Sequence, residues 1–271
     1  MKKLIVIALS GMMSVLLLAG CTNSSASSTA TNQGTATVIP TEVTITDHQD
    51  RTITVPADPK KVAVLDIYPL ASMLTIYLDS SSSIVAMEPA SMSAAKNGVL
   101  SELYPEILNV NTNIMDGNDV NIESLIALNP DVVFYNAGNK AEQQKLENAG
   151  LTAVAVSATK WNYDCIKTYN EWMSLLNQIY PSHASNREDL VKQYATKKYD
   201  EIQSKVSSIS TKQKVLFLYQ YDAKTMITSS SSFFGQWWCD AVGAEMLLMV
   251  YKQIIPMHRS RWNKFMHGIQ M

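Results

Sequence analysis

The apolar positions of this chain change period several times, and each change marks an element. From Thr41 they alternate, with Val43, Ile45, Ile53 and Val55 around the polar stretch Asp47-His48-Gln49-Asp50, which predicts a β-hairpin ending at Pro56. Lys61 to Asp66 is a short β-branched run that predicts a strand. Leu70, Met73, Leu74 and Tyr77 then fall at helical spacing and predict a helix over 70–78.

The cycle repeats with a strand over Ser83 to Met87, a polar loop with a short helical stretch to Leu108, and a helix over Ile122 to Leu128. That helix leads through Asn129-Pro130 into a strand over Asp131 to Tyr135. A helix from Lys140 to Ala149 stops at Gly150, and a strand follows over Thr152 to Val156. Four short apolar strands alternating with helices between 61 and 156 imply a parallel sheet covered on both faces, with ligands expected at the carboxyl ends of its strands.

Beyond Trp161 the pattern is helical over Asp164 to Tyr180 and again over Ser185 to Ile209. The β signal then returns in Lys214 to Tyr221 and Thr225 to Thr228, followed by a helix from Phe234 to Val242. This predicts two α/β lobes and a long connecting helical region between them. The expected division is 41–162 for the first lobe, 163–212 for the connector, 213–245 for a partial second lobe and 246–271 for an atypical basic tail.

Composition narrows the function. Apolar residues make up 46% of the 271 and charged residues 17%, enough for a core and against wholesale disorder. With 22 Lys and Arg against 24 Asp and Glu there is no basic excess to follow a phosphate backbone, so no nucleic-acid partner is expected. Three cysteines, Cys21, Cys165 and Cys239, are too few for a disulfide scaffold or a four-cysteine zinc site, and their pairing stays open. The histidines, His48, His183, His258 and His267, are scattered, which disfavours a bare-metal site built from several imidazoles. Neither a GxSxG, HExxH, P-loop nor GxGxxG pattern occurs, so no enzyme is expected and no cofactor is called for.

The first residues read as an address. Lys2 and Lys3 precede an apolar run from Leu4 to Leu18, and Leu18-Ala19-Gly20-Cys21 resembles the lipobox of bacterial lipoproteins. That resemblance implies a signal peptide over 1–20, lipidation of Cys21 and a place on the extracytoplasmic face of the cell membrane. Residues 22–37 hold nine Ser or Thr without a charge, and 21–40 is expected to be a flexible tether.

Lipobox, tether, KKVAVLDIYPLASMLTIYL, NIESLIALNPDVVFYNAG, a long connecting region and KVLFLYQYDAKTMITSSSSFFGQWWCDAVGAE together resemble the metal-chelate class of ABC-transporter substrate-binding lipoproteins. The resemblance implies a two-lobed fold of the helical-backbone type with parallel sheets and flanking helices. It also implies a ligand in the cleft between the lobes: a ferric siderophore first, with cobalamin or haem as alternatives. The implied partners are an ABC permease and its ATPase, docked through acidic residues for which Glu88, Glu102 and Glu106 are candidates. A surface lipoprotein or adhesin without a transport role is the remaining alternative.

Loops after strands supply the candidate ligand contacts. In the first lobe these are Asp66, Ile67, Tyr68, Met87, Glu88, Met115 to Asn118 with Asp116, Tyr135, Asn136, Lys160 and Trp161. In the second they are Tyr219, Tyr221, Asp222, Phe233, Phe234, Trp237, Trp238 and the hydroxyl run Ser229 to Ser232. Aromatics stack on planar chelates, and Lys160 suits an anionic group. A second helix-Asn-Pro-Asp-strand module, expected of a complete second lobe, does not occur. After Glu245 the chain carries four Lys or Arg, no acidic residue and five of its 14 Met, and a frameshift or truncation near Ala244 or Glu245 is the expectation for this region.

Overall fold

Strand alternation in the computed structural model divides one sheet between two cores. The structure describes residues 40–183, 192–221, 226–228 and 234–247. Cys21, the Ser/Thr-rich stretch, Ser185 to Val191, Asp222, Ser229 to Ser232, Phe233 and the tail beyond Leu247 lie outside them.

Strands β1 (Glu42–Thr46) and β2 (Thr52–Pro56) pair antiparallel as the predicted hairpin. Then follow β3 (Val62–Val64), α1 (Leu70–Leu78), β4 (Ile84–Met87), α2 (Pro89–Asn97) and α3 (Leu100–Leu103), with a 3-10 turn over Pro105–Asn109. A small hairpin, β5 (Met115–Asp116) with β6 (Asp119–Val120), turns on Gly117 at φ +62°. It is too short to leave a periodic signature, and the sequence pattern predicts no element between Leu108 and Ile122. Next come α4 (Ile122–Ala127), β7 (Val132–Asn136), α5 (Lys140–Asn148) and β8 (Ala153–Val156).

The four strands form one parallel sheet in the order β4-β3-β7-β8. Val62, Val64, Val132, Phe134, Val154 and Val156 face a core shared with Leu70 and Leu74 of α1. Their neighbours Ala63, Leu65, Val133, Tyr135, Ala153 and Ala155 face Leu125 of α4 and Leu146 of α5. Period-two alternation thus feeds both faces of a doubly covered sheet.

The Asn-Pro-Asp module has a structural task. Asn121 caps α4 by accepting from the Ser124 amide at 2.9 Å. Asn129 takes φ +48°, which an asparagine tolerates, to end the segment. Asp131 Oδ2 then accepts from the amides of Lys60 and Lys61, each at 2.8 Å, and pins the start of β3 to the start of β7.

Helix α6 (Cys165–Ile179), capped by Asp164, buries Trp172, Met173, Leu175, Leu176 and Ile179 in the first-lobe core. At roughly 1.5–3 kcal/mol per large apolar side chain, that face binds the helix firmly to the lobe. A turn of π-helix at Lys192–Thr196 runs into α7 (Lys197–Val206), which sides with the second lobe instead. There Tyr199 stacks on Trp237 at 5.7 Å and Gln203 Nε2 donates to the Ala241 carbonyl at 2.7 Å.

The second lobe contains β9 (Lys214–Val215), β10 (Leu218–Tyr221), β11 (Met226–Thr228), α8 (Phe234–Ala241) and β12 (Glu245–Met246). The single strand predicted over Lys214 to Tyr221 is two strands, because its halves take different partners: β9 pairs parallel with β12 and β10 antiparallel with β11. Cys239, Ala244 and Met246 form a small core here with Val215 and Phe217. Gly243, at φ +69°, closes α8 so near α7 that a Cβ would lie 2.4 Å from Val206 Cγ1. Cys165 and Cys239 are both free thiols.

Candidate functional site

In a sheet ordered β4-β3-β7-β8 the chain reverses its direction of winding between β3 and β7, and a crevice opens outside the carboxyl ends of strands at such a point. Asp66 follows β3, and Asn136 ends β7. The Asn136 side-chain amide donates to the Asp66 carbonyl at 3.2 Å across the gap. Asp66 stands at φ +30°, and its amide donates to Glu88 Oε1 at 2.8 Å. The loop after β3 is therefore held in a sparsely populated conformation by one neighbour from β7 and one from β4.

Glu88, just past β4, is buried, and its second oxygen accepts from the Tyr68 hydroxyl at 2.5 Å. This removes it from the expected docking carboxylates, since its charge is turned inward, whereas Glu102 and Glu106 are exposed. Burial, with the Glu88 bond next, raises the Tyr68 pKa, so that hydroxyl keeps its proton.

Two concavities meet at this point. One, of about 430 Å³, is lined by Asp66, Glu88, Asn118, Asn139 and Glu142, with Met115 and Gly117 from the small hairpin. The other, of about 510 Å³, is mainly apolar and is lined by Tyr68, Met73, Tyr163, Tyr169, Trp172 and Trp238. Tyr68 lines the aromatic concavity with its ring and reaches the acidic one through Glu88. It is 46% exposed, as is Trp238, which α8 brings from the second lobe. Tyr163 is placed by two successive left-handed residues, Asn162 at φ +53° and Tyr163 at φ +61°.

Glu142 escaped the sequence reading. It stands at the third position of α5, where the helix cap Asn139 accepts from its amide at 3.1 Å. Asn139-x-x-Glu142 has the spacing of a capping box, in which the Glu would return to the cap amide. That amide donates to the Asn136 carbonyl instead, so the carboxylate is released toward the cleft. Glu142 is only 8% exposed. Burial, then the charges of Asp66 and Glu88, push its pKa up to about 7. Burial, and Glu88 after it, also raise that of Asp66.

The other candidates are placed elsewhere. Met87 and Tyr135 are wholly buried. The Tyr135 hydroxyl donates to Gln49 Oε1 at 3.1 Å, and Arg51 lies 5.7 Å from its ring. Lys160 pairs with Asp50 at 2.5 Å, and Trp161 meets His48 edge to face at 4.9 Å, so both belong to the contact between β8 and the first hairpin. Trp237 lies against Tyr199 and Trp238. Asp116 is exposed on the rim hairpin. Tyr219 and Tyr221 are in β10, but their side chains, like that of Phe234, fall outside the described part.

Among the described residues no three His, Cys, Asp or Glu side chains are placed to hold a metal ion. No described helix is long and apolar enough to cross a membrane.

Comparison with known proteins agrees with this architecture. A profile of the periplasmic binding protein family matches residues 87–253. The molybdate-binding protein MolA of Haemophilus influenzae is 36% identical over 117 residues, which are 42% of this chain and 31% of that protein. A periplasmic solute binding protein from Veillonella parvula superposes with a TM-score of 0.64 at 23% identity, covering 80% of this chain and 64% of its own. The molybdate-bound MolA structure gives 0.64 at 20% identity, covering 82% and 71%. The heme binding protein HmuT gives 0.53 at 18%, covering 75% and 62%. At such identities the likeness is one of fold, and this chain spans less than two thirds of several of these relatives. The family profile nevertheless takes in more than half of the chain, including β7, the cleft residues Glu88 and Glu142, and all described second-lobe strands: the chain belongs to the periplasmic binding protein family.

Proposed function

We propose that this protein is the solute receptor of an ABC importer, capturing a small metal chelate outside the cytoplasm and presenting it to a membrane permease. The observation that carries the reading is the pair of adjoining concavities at the winding reversal of the first-lobe sheet. One is acidic and one aromatic, and Tyr68 joins them. Sites of this kind combine a largely apolar wall with a few convergent polar groups. Aromatic faces at Tyr68 and Trp238 suit a broad, partly apolar body such as a ferric siderophore, with haem and cobalamin as alternatives. A ligand already wrapped in its chelator needs no protein-supplied metal ligands.

In this proposal Cys21 is acylated and holds the receptor to the membrane through the Ser/Thr-rich stretch, while Glu102 and Glu106 are the first-lobe contacts for the permease. The molybdate bound by MolA raises an oxyanion as a second reading. The carboxylates of Asp66, Glu88 and Glu142 oppose it by like-charge repulsion, and among the described residues no Lys or Arg lines either concavity.

Tryptophan fluorescence titration tests the proposal, using a ferric trihydroxamate, a ferric catecholate, haem, cobalamin and molybdate. Saturable one-to-one quenching by one chelate is the expected result, with its affinity weakened about tenfold in W238A when the variant is read by isothermal titration calorimetry. No saturable response to any of the five would overturn it.

A further inference from the structure

The acidic concavity has a feature that a solvated cluster of carboxylates lacks. Among the described residues Glu142 Oε2 has no hydrogen-bond partner, although the side chain is more than nine-tenths buried and lines the cavity. A buried, unpaired carboxylate oxygen costs about 1–3 kcal/mol or more, so a fold that keeps one at its cleft gains when something donates to it. Glu88 is satisfied by Asp66 and Tyr68, and it still contributes its charge to the cavity.

The charged groups facing Glu142 are Asp66 after β3, Glu88 after β4, Asp119 of β6 and Lys145 of its own helix. Lys145, the one cation of that set, is engaged with Asp119 at 2.7 Å. A bare metal ion does not fit, because the described carboxylates do not converge closely enough to coordinate one. A group that carries positive charge and donates hydrogen bonds over a wider reach does fit: an ammonium or a guanidinium.

We propose that the Asp66–Glu88–Glu142 concavity is the subsite for a protonated amine or guanidinium carried by the solute, and that Glu142 makes this receptor prefer cationic solutes over neutral or anionic ones. The inference rests on the solute-receptor reading and narrows it. With the body of the chelate on Tyr68 and Trp238, a pendant cation reaches past Tyr68 to the unpaired oxygen. Glu142 gains a proton as the medium falls below about pH 7, so the subsite loses charge in acid and cation binding weakens there.

The test uses the full chain and a matched pair of probes: ferrioxamine B, a ferric trihydroxamate with one free ammonium, and its N-acetylated neutral form. Molybdate serves as the anion. Titrations at pH 8 and pH 6 are compared for wild type, Glu142→Gln and Glu88→Gln, with circular dichroism to establish that each variant is folded. At pH 8 the cationic probe should bind about tenfold more tightly than the acetylated one. Glu142→Gln should bring the two within about threefold and leave the acetylated probe unchanged. From pH 8 to pH 6 the wild-type advantage should shrink several-fold, with little change in Glu142→Gln.

Equal binding of both probes, tighter binding of molybdate, or an advantage untouched by Glu142→Gln would overturn the inference and leave the receptor reading standing. No response to any of the three probes also overturns the inference. The wider ligand panel then decides the receptor reading independently.

Discussion

Two pockets open near the carboxyl edge of the same sheet, and both contain a buried ionisable group. At the end of β8, a hollow of about 260 Å³ lies among His48, Asp50, Lys160, Trp161 and Glu171. At the ends of β3, β4 and β7 lies the acidic concavity with Glu142. In the first, partners are supplied throughout. His48 Nδ1 accepts from the Ser157 amide at 3.0 Å, Ser157 Oγ accepts from the amides of Thr159 and Lys160, and the indole of Trp172 donates to the Ser157 carbonyl at 2.7 Å. Asp47 Oδ2 accepts from the Ala155 amide and from Arg51, so the first hairpin covers the otherwise open edge of β8. In the second pocket one carboxylate oxygen is left over. A buried charge whose partners are all internal holds the scaffold together, and one left incomplete faces the ligand.

The strongest way to break this comparison is to remove Asp47. Its carboxylate is buried and takes hydrogen bonds from Gln49, Arg51 and Ala155. Asp47→Ala leaves Arg51 with only Glu147 and the Ala153 carbonyl, strips the edge-strand amide of Ala155 of its acceptor, and should cost about 3–5 kcal/mol in urea denaturation. Glu142→Ala, by contrast, removes no internal partner and should cost under about 1 kcal/mol. Similar losses for the two substitutions would sink the distinction.

The two pockets should also respond to pH with opposite signs. Burial pulls the His48 pKa down from 6.5 to about 4, so the unfolded chain binds a proton that the folded one refuses. Stability from this group is full above pH 6.5 and is lost as pH falls toward 4, by roughly 2–3 kcal/mol. Burial pushes the Glu142 pKa from 4.5 up to about 7, so the folded chain holds the extra proton. Its contribution is full below pH 4.5 and is lost as pH rises through 7, by about 1–2 kcal/mol after allowance for solvent at the cavity mouth. His48→Gln should flatten the acid limb of a stability–pH curve and Glu142→Gln the neutral limb. A single limb abolished by both substitutions would show that the groups are not separate.

What the sequence makes legible here is local. The short, continuous apolar runs of β3, β7 and β8 predict strands because both of their faces are buried. Asn129-Pro130-Asp131 marks a joint between helix and strand, and its partners, Lys60 and Lys61, lead into the adjacent strand. Tyr68 and Glu88 are legible as candidate cleft residues because they follow strands. Lys160 and Trp161 follow a strand just as closely, yet their partners Asp50 and His48 come from a hairpin about a hundred residues earlier. No local pattern shows that such a partner will arrive. Glu142 fails for the converse reason: its spacing from Asn139 reads as a cap, and only the bond from the Asn139 amide to Asn136 shows that the carboxylate is spare.

The finest distinction lies between two tryptophans. Trp161 packs against the first-lobe core with His48 at its edge, while Trp238 is nearly half exposed on the wall of the aromatic concavity. Trp161→Phe should lower stability by about 1 kcal/mol, through the lost edge-to-face contact, and leave chelate affinity within twofold. Trp238→Phe keeps an aromatic face on the cavity wall, so it should leave stability unchanged and weaken binding only about threefold, as read by isothermal titration calorimetry with the chelate that quenches wild type. The calorimetric readout is needed because either substitution removes a fluorophore. If Trp161→Phe weakened binding more than Trp238→Phe, the ligand would sit at the end of β8, and the fully bonded hollow around His48 would have to open to admit it.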